Sequence, residues 1–318
     1  MTAIVLYVLA PGLLEFLGDA PRLLSIDFVW FPVVVGLEAA SFAALWGLHH
    51  VALGTSDRVL VATSQLAANA FSRIVPGGAA AAGALQFRML VQGGIAPATA
   101  ATGLAAVGLI TIGALLALPL LSVPAVLAGA PAPGGLWQAA LIGAGAFVVL
   151  FALALAVMSG DGVLRWIARA IQMVRRRPDG DGVTDDPAEG LLGQRDQVRA
   201  ALGRGWRLAV ASAVGNRLLD FLALLAALRA VGAEPRPSLV LLAYVAATVL
   251  GMIPITPGGL GFVEAGLVAT LRLAGVAGAD AVLAALAYRL VSYWLPLPAG
   301  AIAYSVHRRR MAAMRGPT

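Results

Sequence analysis

The stretch Pro254-Ile255-Thr256-Pro257-Gly258-Gly259-Leu260-Gly261-Phe262-Val263-Glu264 interrupts an apolar run and places an acid just beyond the interruption. Proline removes a backbone donor and clashes with the preceding turn. The glycines after it let the chain reverse without a Cβ penalty. An earlier stretch, Arg73-Ile74-Val75-Pro76-Gly77-Gly78, does the same. A shift of 181 residues lays Ile74 to Gly78 onto Ile255 to Gly259, and it pairs Leu90 with Leu271 and Gly94 with Gly275. The chain therefore reads as an internal repeat whose two copies each carry a Pro-Gly-Gly break.

Both breaks lie in a chain built for lipid. Of 318 residues, 60% are hydrophobic and 12% charged, against about 25% charged in soluble proteins. Apolar runs fall at 28–53, 59–75, 79–91, 98–127, 136–158, 206–228, 239–255, 260–273 and 281–306. Several exceed the roughly 18 residues needed to cross a bilayer. The expected fold is all-α, a polytopic integral membrane protein with about seven to ten membrane segments. Residues 1–20 lack a basic leader and are interrupted by Pro11 and Glu15, so no cleavable signal peptide is expected. The absence of Cys excludes disulfides and thiolate chemistry, and His49, His50 and His307 are too scattered for a metal site. No cofactor and no nucleic-acid partner are expected. All 22 basic residues are Arg, which fits the basic loops of a membrane protein.

Residues 160–200 differ from the rest, with seven Arg, seven acidic residues and the turn-rich run Pro178 to Gly182. This is an aqueous linker. The domain plan is one transmembrane domain, 1–306, interrupted by a linker at about 160–203 and followed by a basic tail, 307–318. Linker and tail hold most of the Arg outside the spans, which places both in the cytoplasm. Counting crossings from the linker in each direction puts the two Pro-Gly-Gly units in opposite orientations. Inverted repeats with broken helices recur in transporters, where the freed backbone lines a protein-walled or wet cavity.

Charges within spans are costly and face the bundle interior. The first broken unit carries Arg73 and Arg88, near Gln65, Asn69 and Gln86. The second carries Glu264, seven residues after Pro257, and Arg272. The last span carries Arg289, with Tyr293 one helical turn on and Trp294 beside it; those two rings are either an interfacial anchor or a cavity wall. Glu38 lies in the first clear span. Arg207, Arg229 and Arg272 read as snorkelling to the interface. Arg217 and Asp220 read as a local i,i+3 pair, and His49-His50 as an interfacial helix end. Glu264 is positioned to pair with Arg289 or Arg73, leaving one guanidinium for an anion, and the planar Arg fork suits phosphate oxygens. No catalytic constellation and no Walker A segment appears, so transport would be passive, ion-coupled or driven by a partner.

The run Arg73 to Gly78, the run Pro254 to Glu264, and Tyr288-Arg289 with Trp294-Leu295-Pro296 and Gly300 resemble the flippase-like family, also called the lysylphosphatidylglycerol synthase transmembrane region. It includes the membrane half of the multiple peptide resistance factors. There this region is associated with moving aminoacylated phosphatidylglycerol between leaflets, while a separate soluble domain makes the lipid. The 318 residues hold no such soluble domain, so synthase activity is not expected. Gly83 stands where the second repeat has Glu264, which makes the halves chemically unequal.

The resemblance implies a non-enzymatic lipid translocase of the bacterial inner membrane, acting on a phosphate-bearing lipid. A homo-oligomer or a separate lipid-modifying enzyme would be its partner. A solute transporter and a membrane scaffold are the alternatives. Expected site residues are Arg73, Pro76, Gly77, Gly78 and Arg88 in the first unit. In the second they are Pro257, Gly258, Gly259, Gly261 and Glu264, joined by Arg289 and Tyr293 from the last span. Arg73 and Arg289 would contact the headgroup, and Glu264 would hold a guanidinium or contact a cationic headgroup.

Overall fold

A computed structural model describes residues 27–75, 78–122, 203–251 and 259–315, with a few isolated positions between 138 and 196. Pro76, Gly77, Pro257, Gly258, the N-terminal 26 residues, the apolar run 136–158 and most of the linker lie outside the described residues. Every described element is helical. In chain order these are α1 (Trp30–Leu53), α2 (Arg58–Ile74), α3 (Gly78–Gln92) and α4 (Pro97–Ala117), the last running into a 3₁₀ turn, Leu118–Ser122. After the linker come α5 (Trp206–Ala230), α6 (Pro237–Gly251), α7 (Phe262–Leu273) and α8 (Gly278–Arg289). A π-helical turn, Leu290–Trp294, leads into α9 (Pro296–Arg315).

Among the described residues, four helical stretches are long and apolar enough to cross a bilayer: Trp30–Leu53, Pro97–Leu121, Trp206–Ala230 and Gly278–Met314. Their outward faces are apolar too; Leu109 is 70% exposed and Leu208 59%. In water such faces would be unfavourable, but against acyl chains they are solvated. The chain is a multi-pass membrane protein.

The four helices flanking the breaks are shorter. α2 has 17 residues, α3 and α6 have 15 each, and α7 has 12. At 1.5 Å per residue these span about 18 to 25 Å, less than the roughly 30 Å hydrocarbon core. α2 and α3 fold back on each other: Gly78 lies against Ser72 and Gly93 against Leu60, so rising numbers on one meet falling numbers on the other. α6 and α7 do the same, with Gly251 against Val263, Gly266 against Leu250, and the Thr270 hydroxyl donating to the Ala243 carbonyl. α2–α3 and α6–α7 are therefore two antiparallel helical hairpins.

The 181-residue shift is visible in the backbone. After α3, Gly94 has φ +93°, and after α7, Gly275 has φ +90°. Ile95 N–H donates to Leu90 O at 3.1 Å, and Val276 N–H to Leu271 O at 3.1 Å. Ala96 and Ala277 then start α4 and α8 from the same extended conformation. The left-handed position is one that glycine adopts without strain, which is why Gly94 and Gly275 match.

α1 and α5 form the central pair. Val51 meets Gly205, Gly47 meets Ser212, Ala44 meets Gly215, and the Asp27 N–H reaches the Ala230 carbonyl. Numbers climb on one helix as they fall on the other, so the two run antiparallel along their whole length. Small residues allow this close approach, as is usual between membrane helices. Ser41 and Asn216 close the middle of the interface, with Asn216 Nδ2 donating to Ser41 Oγ at 2.8 Å and Ser41 Oγ to Asn216 O at 3.0 Å.

The last helix does not stop at 306. α9 continues to Arg315 and packs antiparallel on α2. Its residues His307 and Met311 are buried, and Arg310 forms a bidentate pair with Asp57 at 2.9 and 2.7 Å. Asp57 also caps α2 by accepting from Leu60 N–H. Residues 307–315 are thus part of the packed bundle, where the sequence reading expected a tail. Apolar run length cannot register a helix held by an ion pair and two inward side chains.

Candidate functional site

A cavity of about 470 Å³ opens among α1, α2, α4, α5, α6, α7, α8 and the π turn. Its walls carry three guanidiniums, Arg73, Arg217 and Arg289, and two carboxylates, Glu38 and Asp220. Ser72, Asn69 and Asn216 add neutral polar groups.

Arg289 is held in place from α7. Gly261, with φ +78°, precedes α7 and lets the chain turn into it. Glu264 sits at the third helical position, where its Oε2 accepts from the Gly261 N–H at 2.7 Å. A carboxylate is favoured there because the first turn of a helix has unsatisfied donors. Its other oxygen, Oε1, accepts from Arg289 Nε at 2.7 Å. Of the two partners the sequence reading allowed for Glu264, the structure pairs it with Arg289. Arg289 Nη2 is buried with no hydrogen-bond partner.

Arg73 is held by the π turn. Pro296 has no N–H to bond the carbonyl four residues back. That carbonyl, Ser292 O, accepts instead from Arg73 Nη1 at 2.7 Å, across 219 residues of sequence. In return the Tyr293 hydroxyl donates to Arg73 O at 3.0 Å. The Arg73 guanidinium lies 4.9 Å and that of Arg289 4.5 Å from the centre of the Tyr293 ring. Both stack on its negative face, an attraction that strengthens away from water. Tyr293 is buried against the two guanidiniums without lining the cavity itself, whereas Trp294 beside it is exposed.

Other expectations fared differently. A Cβ on Gly78 would fall 2.0 Å from Ser72 O, and Gly259 has φ +71°. Gly78 opens α3, and Gly259 lies three residues before α7. Arg88 is exposed on α3 and does not line the cavity, because Gln86, Met89 and Leu90 form the buried face of that helix. Arg207, Arg229 and Arg272 are exposed, in keeping with snorkelling. Asp220 makes no i,i+3 pair with Arg217. It accepts from the Tyr244 hydroxyl at 2.7 Å and from the Tyr288 hydroxyl at 2.5 Å, and Arg217 Nε is buried without a partner. His49 is buried with Nδ1 2.9 Å from Leu45 O, while His50 Nδ1 lies 2.9 Å from Thr55 O.

Tyr244, Tyr288, Ser292 and Asn216 were not singled out as site residues. A hydroxyl in an apolar span is a weak signal, and a backbone carbonyl carries none. Glu38, Arg217 and Asp220 did carry a signal, as intramembrane charges.

A second cavity, about 180 Å³, adjoins the first. It is walled by apolar side chains of α1, α2, the π turn and α9, among them Val35, Trp46, Leu66, Val291 and Leu295. Glu38 and Phe42 line both cavities.

A polar, Arg-walled cavity beside an apolar one, inside a bundle of membrane helices, is chemistry suited to amphiphiles. No curated relative matches the chain significantly. A family model described as the lysylphosphatidylglycerol synthase TM region matches residues 2–300. With nearly its whole length matched, the chain belongs to the lysylphosphatidylglycerol synthase transmembrane-region family, membrane proteins tied to lipid handling.

Proposed function

We propose that the protein is a lipid translocase that moves a phosphate-bearing lipid between leaflets, and that it is not itself an enzyme. The observation that carries this reading is the shared wall of the two cavities. A phosphate headgroup would occupy the polar cavity against Arg289 Nη2, Arg217 Nε and the free donors of Arg73. An acyl chain would lie in the apolar cavity past Phe42. A soluble solute would have no use for the second cavity, which is why the lipid reading is preferred to a solute transporter. Arg suits the headgroup because its fork matches phosphate oxygens.

In this reading the two hairpins are inverted, re-entrant units. The antiparallel course of α1 and α5 supports the inversion, since these helices lead into α2–α3 and α6–α7 respectively. The shortness of the hairpin helices supports re-entry. A two-fold pseudo-symmetric pair of this kind can alternate access by rocking about a fixed site. In this reading the membrane is the bacterial inner membrane; the Arg distribution supports a cytoplasmic linker and C-terminus. A second copy of the chain or a separate lipid-modifying enzyme would be its partner.

Leaflet exchange of fluorescent lipids in proteoliposomes tests the proposal. Anionic phospholipids are expected to equilibrate faster with the protein than without it, and Arg73→Ala and Arg289→Ala are expected to abolish the gain. Folded protein that accelerates no anionic lipid would overturn the reading.

A further inference from the structure

We propose that Glu38 and Asp220 together bind one exchangeable proton, and that this proton travels with the anionic headgroup. The coupling rests on the translocase reading above; the proton site does not.

The antiparallel pairing of α1 and α5 creates the site. One turn from the Ser41–Asn216 hydrogen bonds, the antiparallel register brings Glu38 opposite Asp220, and both carboxyls line the polar cavity. Glu38 is only 7% exposed, and its Oε2 is buried with no donor. Two carboxyl groups so placed cannot both ionise cheaply, and one proton between them turns repulsion into a hydrogen bond. Asp220 already accepts from Tyr244 and Tyr288, one hydroxyl on each oxygen. It is therefore the accepting member, and Glu38 carries the hydrogen. A metal cation would have to share the cavity with three guanidiniums, which disfavours it.

The groups facing Glu38 couple the proton to an anion. Arg73 on α2 and Arg217 on α5 attract its ionised form, and Asp220 opposes it. Arg289 and Tyr288 on α8 and Tyr244 on α6 complete the charged and titratable wall. A phosphate bound to the guanidiniums would offset their pull on Glu38, so the headgroup favours protonation. By linkage the proton favours the headgroup equally. One proton from the aqueous phase on one side would bind Glu38, cross with one singly anionic lipid, and leave to water on the other side. Net charge moved is zero.

The test uses the full chain in proteoliposomes, with two readouts. Infrared difference spectra on a pH step are expected to show a protonated-carboxyl band that is lost in Glu38→Gln. An imposed gradient of one pH unit is expected to sustain up to about a tenfold leaflet ratio of a labelled singly anionic lipid, the equivalent of one proton per lipid. Glu38→Gln copies the protonated side chain, and whatever lipid exchange it retains should not respond to the gradient. Asp220→Asn serves as the second variant, and it should shift the band by removing the acceptor. An unchanged band in both folded variants, or a sodium gradient replacing the pH gradient, would overturn the proton site. Lipid exchange indifferent to pH, with no such band, would do the same and leave the translocase standing. The band without any lipid movement would uphold the site, overturn the coupling and sink the translocase reading.

Discussion

Arg289 donates its Nε hydrogen to Glu264 Oε1 at 2.7 Å, and each side chain is only 12% exposed. The pair joins α7 to the end of α8. Since Glu264 also binds the Gly261 N–H, the guanidinium is fixed relative to the start of α7. A buried pair contributes little net stability over an apolar one, so its value lies in where it aims the remaining Arg289 donors.

Glu264→Gln keeps the shape but removes the charge that orients Arg289. Losing about 1.4 kcal/mol of that orientation would slow lipid exchange about tenfold. Expression and helicity should be near wild type by circular dichroism. Exchange at the wild-type rate would remove Glu264 from the mechanism.

Tyr293→Phe retains the ring under both guanidiniums and loses the hydrogen bond to Arg73 O. The expected stability loss is about 1 kcal/mol, with exchange largely kept. Tyr293→Leu removes the ring as well and should impair exchange more than Phe does. Measuring both rates against thermal stability separates the ring's contribution from the hydroxyl's.

Gly300 on α9 has no room for a side chain. A Cβ there would fall 2.3 Å from Ala70 Cβ and 2.5 Å from Leu66 O. Gly300→Ala should therefore part α9 from α2 and cost roughly 1–3 kcal/mol. Gly36→Ala, on α1 with nothing within 4 Å of the added carbon, is the control and should be neutral or slightly stabilising. Thermal unfolding in detergent distinguishes them.

Asp57 and Arg310 lie at the end of the bundle, beyond the apolar parts of α1 and α2. The Arg310 hydrogen bond holds the Asp57 carboxyl below its ordinary value of 3.8. A depressed acid contributes stability that is present above its unfolded value and is lost as pH falls through the folded one. The effect is small because both side chains are about one-third exposed. Wild type should lose its thermal margin over Asp57→Asn as pH falls from about 5 through the carboxyl's lowered value. A constant margin across that range would remove the pair's electrostatic role. Asn retains the helix cap, so the comparison isolates the charge.

The membrane character and the 181-residue repeat were legible in the sequence. They depend on run length, on Pro and Gly, and on a fixed spacing, all of which are local. Arg73, Glu264 and Arg289 stand out in the sequence as costly charges in apolar spans, and the structure packs Arg73 and Arg289 against Tyr293. What the sequence could not supply was which helix faces which. Arg217 and Asp220 read as partners since i,i+3 neighbours meet on one helix, yet rotation of α5 against α6 and α8 gives Asp220 to two tyrosines. Arg88 read as a site residue, but the phase of α3 turns it outward. The Arg73 anchor is a carbonyl freed by Pro296, more than two hundred residues away. Only the antiparallel packing of α1 on α5 brings Glu38 to Asp220. Helix periodicity determines which side chains share a face; the packing of small residues between helices decides which faces meet.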